Sequence, residues 1–312
     1  MKKSLHARRF LAAIVTLFAT AATATVEAAD IKQIAPASSN DLNWETASLW
    51  DNEAAASTGN HYFTNGYTLR TPTPGGGTGT TTFPGASLTV EGGDGGTRGA
   101  LTLKAKTTII GNLLIGVGSV ANNVNTGTNQ PATLVVTNLT ILSTATNENA
   151  AILQGANTNQ NITLNVTNLL GNGYLRFTNP RSYVLSVANA AAFTGEINLN
   201  QGTLTLATDF AATGATFSMA SSGASLVLTG NLSVSSFTFG TTTLSGASQS
   251  YTSSELNALF STTAFSGGGN VSIAPVPEPS TLGLLFGGVA LAACYRAGKL
   301  RQLRKAGGGG GR

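Results

Sequence analysis

Val136-Thr137-Asn138-Leu139 returns 30 positions later as Val166-Thr167-Asn168-Leu169, and in both places the tetrapeptide follows alternating apolar residues. The first copy is led by Thr133-Leu134-Val135-Val136 and the second by Ile162-Thr163-Leu164-Asn165-Val166. Alternation at period two, rich in β-branched residues, turns one row of side chains inward and the next outward, as in a half-buried strand. One echo alone does not set an architecture, but this one sits in a series. Leu88-Thr89-Val90, Leu101-Thr102-Leu103, Tyr183-Val184-Leu185-Ser186-Val187 and Glu196-Ile197-Asn198-Leu199 carry the same signal. So do Thr203-Leu204-Thr205-Leu206, Ser225-Leu226-Val227-Leu228 and Phe237-Thr238-Phe239, with Gly, Asn and Thr turns between them. Large aromatics are few, and Asn, Thr and Val stack well on copies of themselves. The expected fold is therefore all-β: a right-handed parallel β-helix in which each coil lays the same side chain above the last. Inward Val, Leu and Ile would build its core, and outward Thr and Asn would form ladders. A β-sandwich is the alternative.

Outward from this centre, residues 88–275 are expected to form the β-solenoid passenger. Residues 29–87 are expected to form an N-terminal cap, holding Asn43-Trp44, Leu49-Trp50-Asp51 and Tyr67-Thr68-Leu69-Arg70-Thr71. A stack of strands needs such a cover to block pairing at its exposed edge. Gly75 to Thr82 reads as a flexible loop. Beyond the C-terminal apolar run, only Ser254 to Phe260 offers a helical pattern.

The two termini read as addresses. Met1-Lys2-Lys3 and Arg8-Arg9 precede an apolar run from Phe10 to Phe18, which fades into Ala and Thr. A positive start, a short apolar segment and small residues before a cut define a secretory signal peptide over residues 1–28, expected as a short helix. Val26-Glu27-Ala28 places the cleavage after Ala28, with Ala24 and Ala29 as alternatives, and the secretion translocon is the implied partner. At the other end, Pro277-Glu278-Pro279 precedes an apolar stretch from Thr281 to Tyr295 that contains Leu282, Leu284, Leu285, Phe286, Val289 and Leu291. Arg296, Lys299, Arg301, Arg304 and Lys305 follow, then a Gly-rich tail over 306–312. The prolines fix φ and keep their segment extended. The apolar run is expected as a transmembrane helix; it is shorter than the ~20 residues of a full span, so its basic flank must reach the interface. Those cations would stay cytoplasmic and leave the passenger outside.

Residues 276–305, in the order Pro-Glu-Pro, apolar helix and basic tail, resemble the PEP-CTERM sorting signal. That resemblance implies an exosortase-type processing enzyme as partner, with Pro277, Glu278 and Pro279 as the recognised motif. It implies anchoring in the inner membrane before processing, then a place on the cell surface or outside the cell, in bacteria that make exopolysaccharide. The stretch from Phe193-Thr194-Gly195-Glu196 to Thr203-Leu204-Thr205-Leu206 resembles the repeat unit of autotransporter-associated β-solenoids. The chain departs from those proteins in having few close copies of the unit and no C-terminal barrel.

Charge and chemistry narrow the function. Ten of the 17 Lys and Arg lie in the two termini, so residues 29–275 carry seven cations against eleven acids, a net of about −4. Nucleic acid, which needs clustered cations on the working domain, is set aside as a partner. The only cysteine is Cys294, in the C-terminal apolar run. The passenger's one histidine, His61, lies in Thr58-Gly59-Asn60-His61-Tyr62 and reads as a solvated loop residue. Asp41, Glu45, Asp51, Glu53, Glu91 and Asp94 show no spacing that marks a glycosidase pair. Lys104, Lys106, Arg176 and Arg181 read as scattered. Gly92-Gly93-Asp94-Gly95-Gly96 is a single turn, whereas calcium nonapeptides stack many. No catalytic residue, cofactor or metal is expected. The expected role is a non-catalytic exported adhesin or scaffold of an exopolysaccharide or biofilm matrix. A polysaccharide-active enzyme and a glycan- or ice-binding module are its rivals.

Overall fold

The computed structural model describes residues 28–39, 41–124, 130–142, 150–155, 160–246 and 248–275. The chain opens with β1 (Asp30–Lys32), β2 (His61–Phe63), β3 (Thr68–Arg70), β4 (Thr80–Thr82) and β5 (Ser87–Val90). It continues through β6 (Gly99–Leu103), β7 (Thr107–Ile115), β8 (Gly118–Asn122), β9 (Ala132–Ile141) and β10 (Ala151–Gly155). Next come β11 (Ile162–Gly171), β12 (Tyr174–Phe177), β13 (Ser182–Asn189), β14 (Glu196–Leu199) and β15 (Gly202–Leu206). The last part holds β16 (Phe210–Met219), β17 (Ala224–Leu228), β18 (Leu232–Phe239), β19 (Thr242–Ser245), β20 (Gln249–Thr252), α1 (Ser253–Phe260), β21 (Phe265–Ser266) and β22 (Asn270–Ile273).

These strands form two sheets of eleven, and from β5 to β18 successive strands alternate between them. The first sheet runs β1-β2-β5-β7-β9-β11-β13-β15-β17-β21 with β4 beside β7; the second runs from β3 through the even-numbered strands to β22 and β20, with β19 beside β18. Pairing is parallel except for β18 with β19 and β20 with β22. The antiparallel neighbours of which a sandwich is built are thus confined, among the described residues, to the C-terminal end.

Register explains the alternating sequence. Leu134, Leu164, Leu185, Leu206 and Leu228 fall on one line across five strands, each no more than 2% exposed. On the second sheet, Leu101, Val120, Leu153, Phe177, Leu199, Met219 and Phe239 form the matching line. Burying each such side chain contributes about 1.5–3 kcal/mol, so identical apolar positions stacked at strand spacing make one continuous core. The tetrapeptide echo is part of this register: Val136 pairs with Val166, Asn138 with Asn168 and Leu139 with Leu169. In β9 and β11 inward residues alternate up to Val136 and Val166, two outward residues follow, and burial resumes at Leu139 and Leu169. The Thr-Asn pair therefore resets the alternation within a single long strand.

Glycine is required where the chain crosses between sheets. Gly202 has φ +92, and a Cβ there would lie 2.4 Å from the Arg181 carbonyl oxygen. Gly171 has φ +97, and its Cβ would meet the Ile141 oxygen at 2.2 Å. Only a residue without Cβ fits such a backbone at such an approach.

Both ends of the stack are covered. At the N-terminal end Trp44, Phe83, Tyr62 and Trp50 form a chain of edge-on rings with centroids 4.8–5.6 Å apart. The Trp50 Nε1 donates to the Trp44 carbonyl at 3.1 Å. Gln33, Ala37 and Trp44 also occupy the edge of the second sheet: Ala37 N and Gln33 Nε2 donate to Thr68 O, and Trp44 N donates to Arg70 O. Edge carbonyls that would otherwise recruit another strand are taken. Residues 29–87 thus supply a lid of rings, and they also supply strands β1 to β4.

At the C-terminal end α1 closes the stack, as the pattern over Ser254 to Phe260 predicts. A capping box holds its start: Glu255 N donates to Thr252 Oγ1 at 3.2 Å, and Thr252 N donates to the Glu255 carboxylate at 2.7 Å. Leu256 is fully buried, and Phe260 packs on Phe237, Phe239 and Phe265.

One expectation is corrected. Gly75 to Thr82 is not a loop throughout, because Thr80–Thr82 pairs in parallel with β7. Consecutive threonines suit a strand once a partner is present, and that partner lies 27 residues away, beyond any local pattern.

Candidate functional site on the first sheet

Two parallel rows of side chains run across the first sheet on the face away from the core, mostly half-buried or exposed, with Ser87 and Thr89 buried. The polar row starts with Asp30, which pairs with His61, which pairs with Ser87. It continues through Asn112, Asn138, Asn168 and Asn189, which share one register line. His61 Nδ1 and Ser87 Oγ are hydrogen-bonded at 2.7 Å. Asn138 donates to the Asn112 oxygen at 2.7 Å, Asn168 to Asn138 at 2.8 Å and Asn189 to Asn168 at 3.3 Å. Asn112 anchors the ladder by donating to the Ala86 carbonyl at 2.7 Å. The asparagines from 112 to 168 stand second in the two-residue resets of the long strands, so the fold itself brings their amides into line.

Two residues further along each strand lies the second row, Phe63, Thr89, Leu114, Thr140 and Leu170, again in register. It alternates apolar and hydroxyl side chains from strand to strand. Between the rows and the Glu91 side lies an open groove of about 700 Å³, with His61 and Ser87 at one end and the half-exposed Leu142 at the other. Partial burial pushes the Glu91 carboxyl above its ordinary value, opposed by the positive charge of Lys32. A concave, largely apolar surface with convergent polar groups and one perturbed carboxyl is the usual form of a binding site.

The sequence places His61 in a loop; the structure places it in β2, half-buried and bonded to Ser87. The row Asp30-His61-Ser87 has the residue types of a hydrolytic triad. Its geometry differs from one, because Ser87 holds Nδ1 and no hydrogen bond joins Asp30 to His61. Ser87 is 8% exposed. Of the two acids Glu91 and Asp94, Glu91 lines the groove, and Asp94 accepts from the Asn65 side-chain amide at 3.1 Å. Among the described residues no group of three or more His, Cys, Asp or Glu could hold a metal ion.

On the second sheet the cations are less scattered than the sequence implies. Burial, and then the neighbouring Arg176, lowers the Arg98 pKa; burial, and then Arg70, lowers that of Lys104. Arg98 donates to the carbonyls of Gly118 and Ala150 at 2.8 and 2.7 Å. Beside Arg176, Asn198 donates to Ser218 at 2.7 Å and Ser218 donates to the Glu196 carboxylate. The Tyr174 hydroxyl is pushed up to about 12 by burial first and by Glu196 second.

The residues singled out at the termini lie outside the described residues. These are Pro277, Glu278, Pro279, the apolar run from Thr281 to Tyr295 with Cys294, and the cations from Arg296 to Lys305. Ala28 is the first described residue and is exposed. No helix among the described residues is long and apolar enough to cross a membrane. Comparison with profiles of known families, with curated proteins and with solved structures gave no match.

Proposed function

We propose that the chain is an exported, non-catalytic protein of the bacterial surface or its surrounding matrix, an adhesin or scaffold for exopolysaccharide. Its body is a right-handed parallel β-helix with covered ends, in which the alternation of strands between two parallel sheets corresponds to successive coils. The secretory signal delivers it through the translocon, and the C-terminal helix Thr281–Tyr295 holds it in the inner membrane. An exosortase-type enzyme then acts at Pro277-Glu278-Pro279. One observation carries the sorting part of this reading: Pro-Glu-Pro, apolar run and basic cluster follow directly on the last strand of the body, Asn270–Ile273. The non-catalytic part draws support from the His61–Ser87 pair, whose register neighbour Asp30 does not orient the imidazole.

The test is expression in a bacterium that has an exosortase, comparing wild type with the Pro277→Ala/Glu278→Ala/Pro279→Ala variant. Wild type is expected to lose the mass of its C-terminal segment and leave the inner membrane, while the variant stays full-length in it. A wild-type chain that keeps its C-terminal segment in the inner membrane overturns the sorting role.

A further inference from the structure

We infer that the groove on the first sheet is a subsite for a neutral polysaccharide strand, laid across β2, β5, β7, β9 and β11. This deepens the matrix-binding reading above and rests on it for its biological setting, but not for its test.

The inference comes from what each row leaves unused. A side-chain amide has two N–H donors and an oxygen with two lone pairs. Asn138 spends one N–H on Asn112 and one lone pair on Asn168; Asn112 spends one N–H on Ala86 and one lone pair on Asn138. Each keeps a donor and an acceptor, and both line the groove. His61 has its Nδ1 on Ser87, so its Nε2 is the nitrogen left for a ligand. The ladder therefore fixes its amides in place while leaving half of their bonding capacity to the outside, which lowers the entropy lost on binding.

The neighbouring row supplies the complementary surface. Phe63, Leu114 and Leu170 recur on every second strand, with Thr89 and Thr140 between them. A chain of sugar rings has apolar C–H faces and hydroxyl rims repeated along its length, the same two chemistries repeated across these strands. The groove is open rather than closed, so a polymer can lie through it. Charge selects among polymers. The groove's lining holds the Glu91 carboxylate, balanced by nearby Lys32, and no cluster of cations for a uronate-bearing chain; Arg176 lies in β12 of the other sheet, and Arg98 and Lys104 flank its β6.

The experiment is isothermal titration of the full-length protein in detergent with cellohexaose, xylohexaose, mannohexaose and maltohexaose, and with polygalacturonate. Variants are Asn138→Leu and Leu114→Asp in the groove and Arg176→Gln on the second sheet, each checked by circular dichroism for intact strands. Binding of at least one neutral hexasaccharide is expected, weakened about tenfold or more by Leu114→Asp, in line with the loss of one good contact. Arg176→Gln should leave it unchanged. The inference is overturned if none of the four neutral sugars binds, if both groove variants bind like wild type, or if polygalacturonate binds best and Arg176→Gln abolishes it. Processing at Pro277-Glu278-Pro279 is read by fractionation and is untouched by any of these results.

Discussion

Asn168 donates its side-chain amide to Asn138 at 2.8 Å, although 30 residues separate them along the chain. The bond joins the two copies of the repeated tetrapeptide and continues in both directions, to Asn112 and to Asn189. Each rung is modest, since a net side-chain hydrogen bond contributes about 0.5–1.5 kcal/mol. Asn138→Ala removes two rungs, so urea unfolding should show a loss of about 1–2 kcal/mol. Asn168→Ala should cost a similar amount. The double variant should lose less than the sum, because the two residues share a bond. Strictly additive losses would mean that the ladder carries no coupling.

Gly202 gives a backbone prediction. With φ +92 and the Arg181 oxygen 2.4 Å from a would-be Cβ, Gly202→Ala must strain the turn or push β15 from β13. A fall in thermal midpoint equivalent to about 2 kcal/mol or more is expected. Gly59 has a similar φ of +89 with nothing within 4 Å, so Gly59→Ala should cost less.

Trp50 tests the N-terminal lid. It is fully buried against Tyr62 and donates to the Trp44 carbonyl. Trp50→Ala should cost about 3–5 kcal/mol, the usual loss for a large buried ring. It should also loosen Gln33, Ala37 and Trp44 from the edge of β3, so sedimentation should show concentration-dependent association in the variant but not in wild type. A monomeric variant would argue against the lid's protective part.

Helix α1 carries a pH dependence. Hydrogen bonds from the Thr252 backbone and hydroxyl hold the Glu255 carboxyl below its ordinary value of 4.5. A carboxyl whose folded pKa is depressed stabilises the fold fully above its unfolded value and loses that contribution as pH falls through the folded one. Thermal midpoints of wild type and Glu255→Gln should therefore differ at pH 6 and converge toward pH 3. A constant gap would remove the capping box as the cause.

The strands the sequence makes legible are those whose period-two pattern is uninterrupted, such as Ile162 to Val166 and Ser225 to Leu228. β4 is three threonines with no apolar alternation, directly after Gly79, and a Gly-Asn turn masks β2, so both read as loops until their partners in β7 and β5 are known. Parallel pairing places those partners 26 or more residues away, where no local propensity reports them. The candidate groove is hidden for the same reason. Its lining runs from His61 to Leu170, and only register brings Phe63, Leu114 and Leu170 onto one line. Part of the asparagine ladder is nevertheless visible, because the repeated Val-Thr-Asn-Leu sets Asn138, which lines the groove, and Asn168 at equivalent positions. The sealing of the C-terminal end was announced only by the short helical pattern, since β19 and β20 lack alternating apolar residues and pair antiparallel after the series has ended.

Sealing at both extremities has a consequence for size. A stack whose edge carbonyls are occupied at one extremity and roofed by a helix at the other does not grow by accretion of further copies. Its reach is a count inscribed in the gene. Duplicating the 30-residue period from Ala132 to Asn161, which sets Ile162 beside Ala132, would add a storey without disturbing either roof, so evolution can tune the length of the stack by copying a phrase.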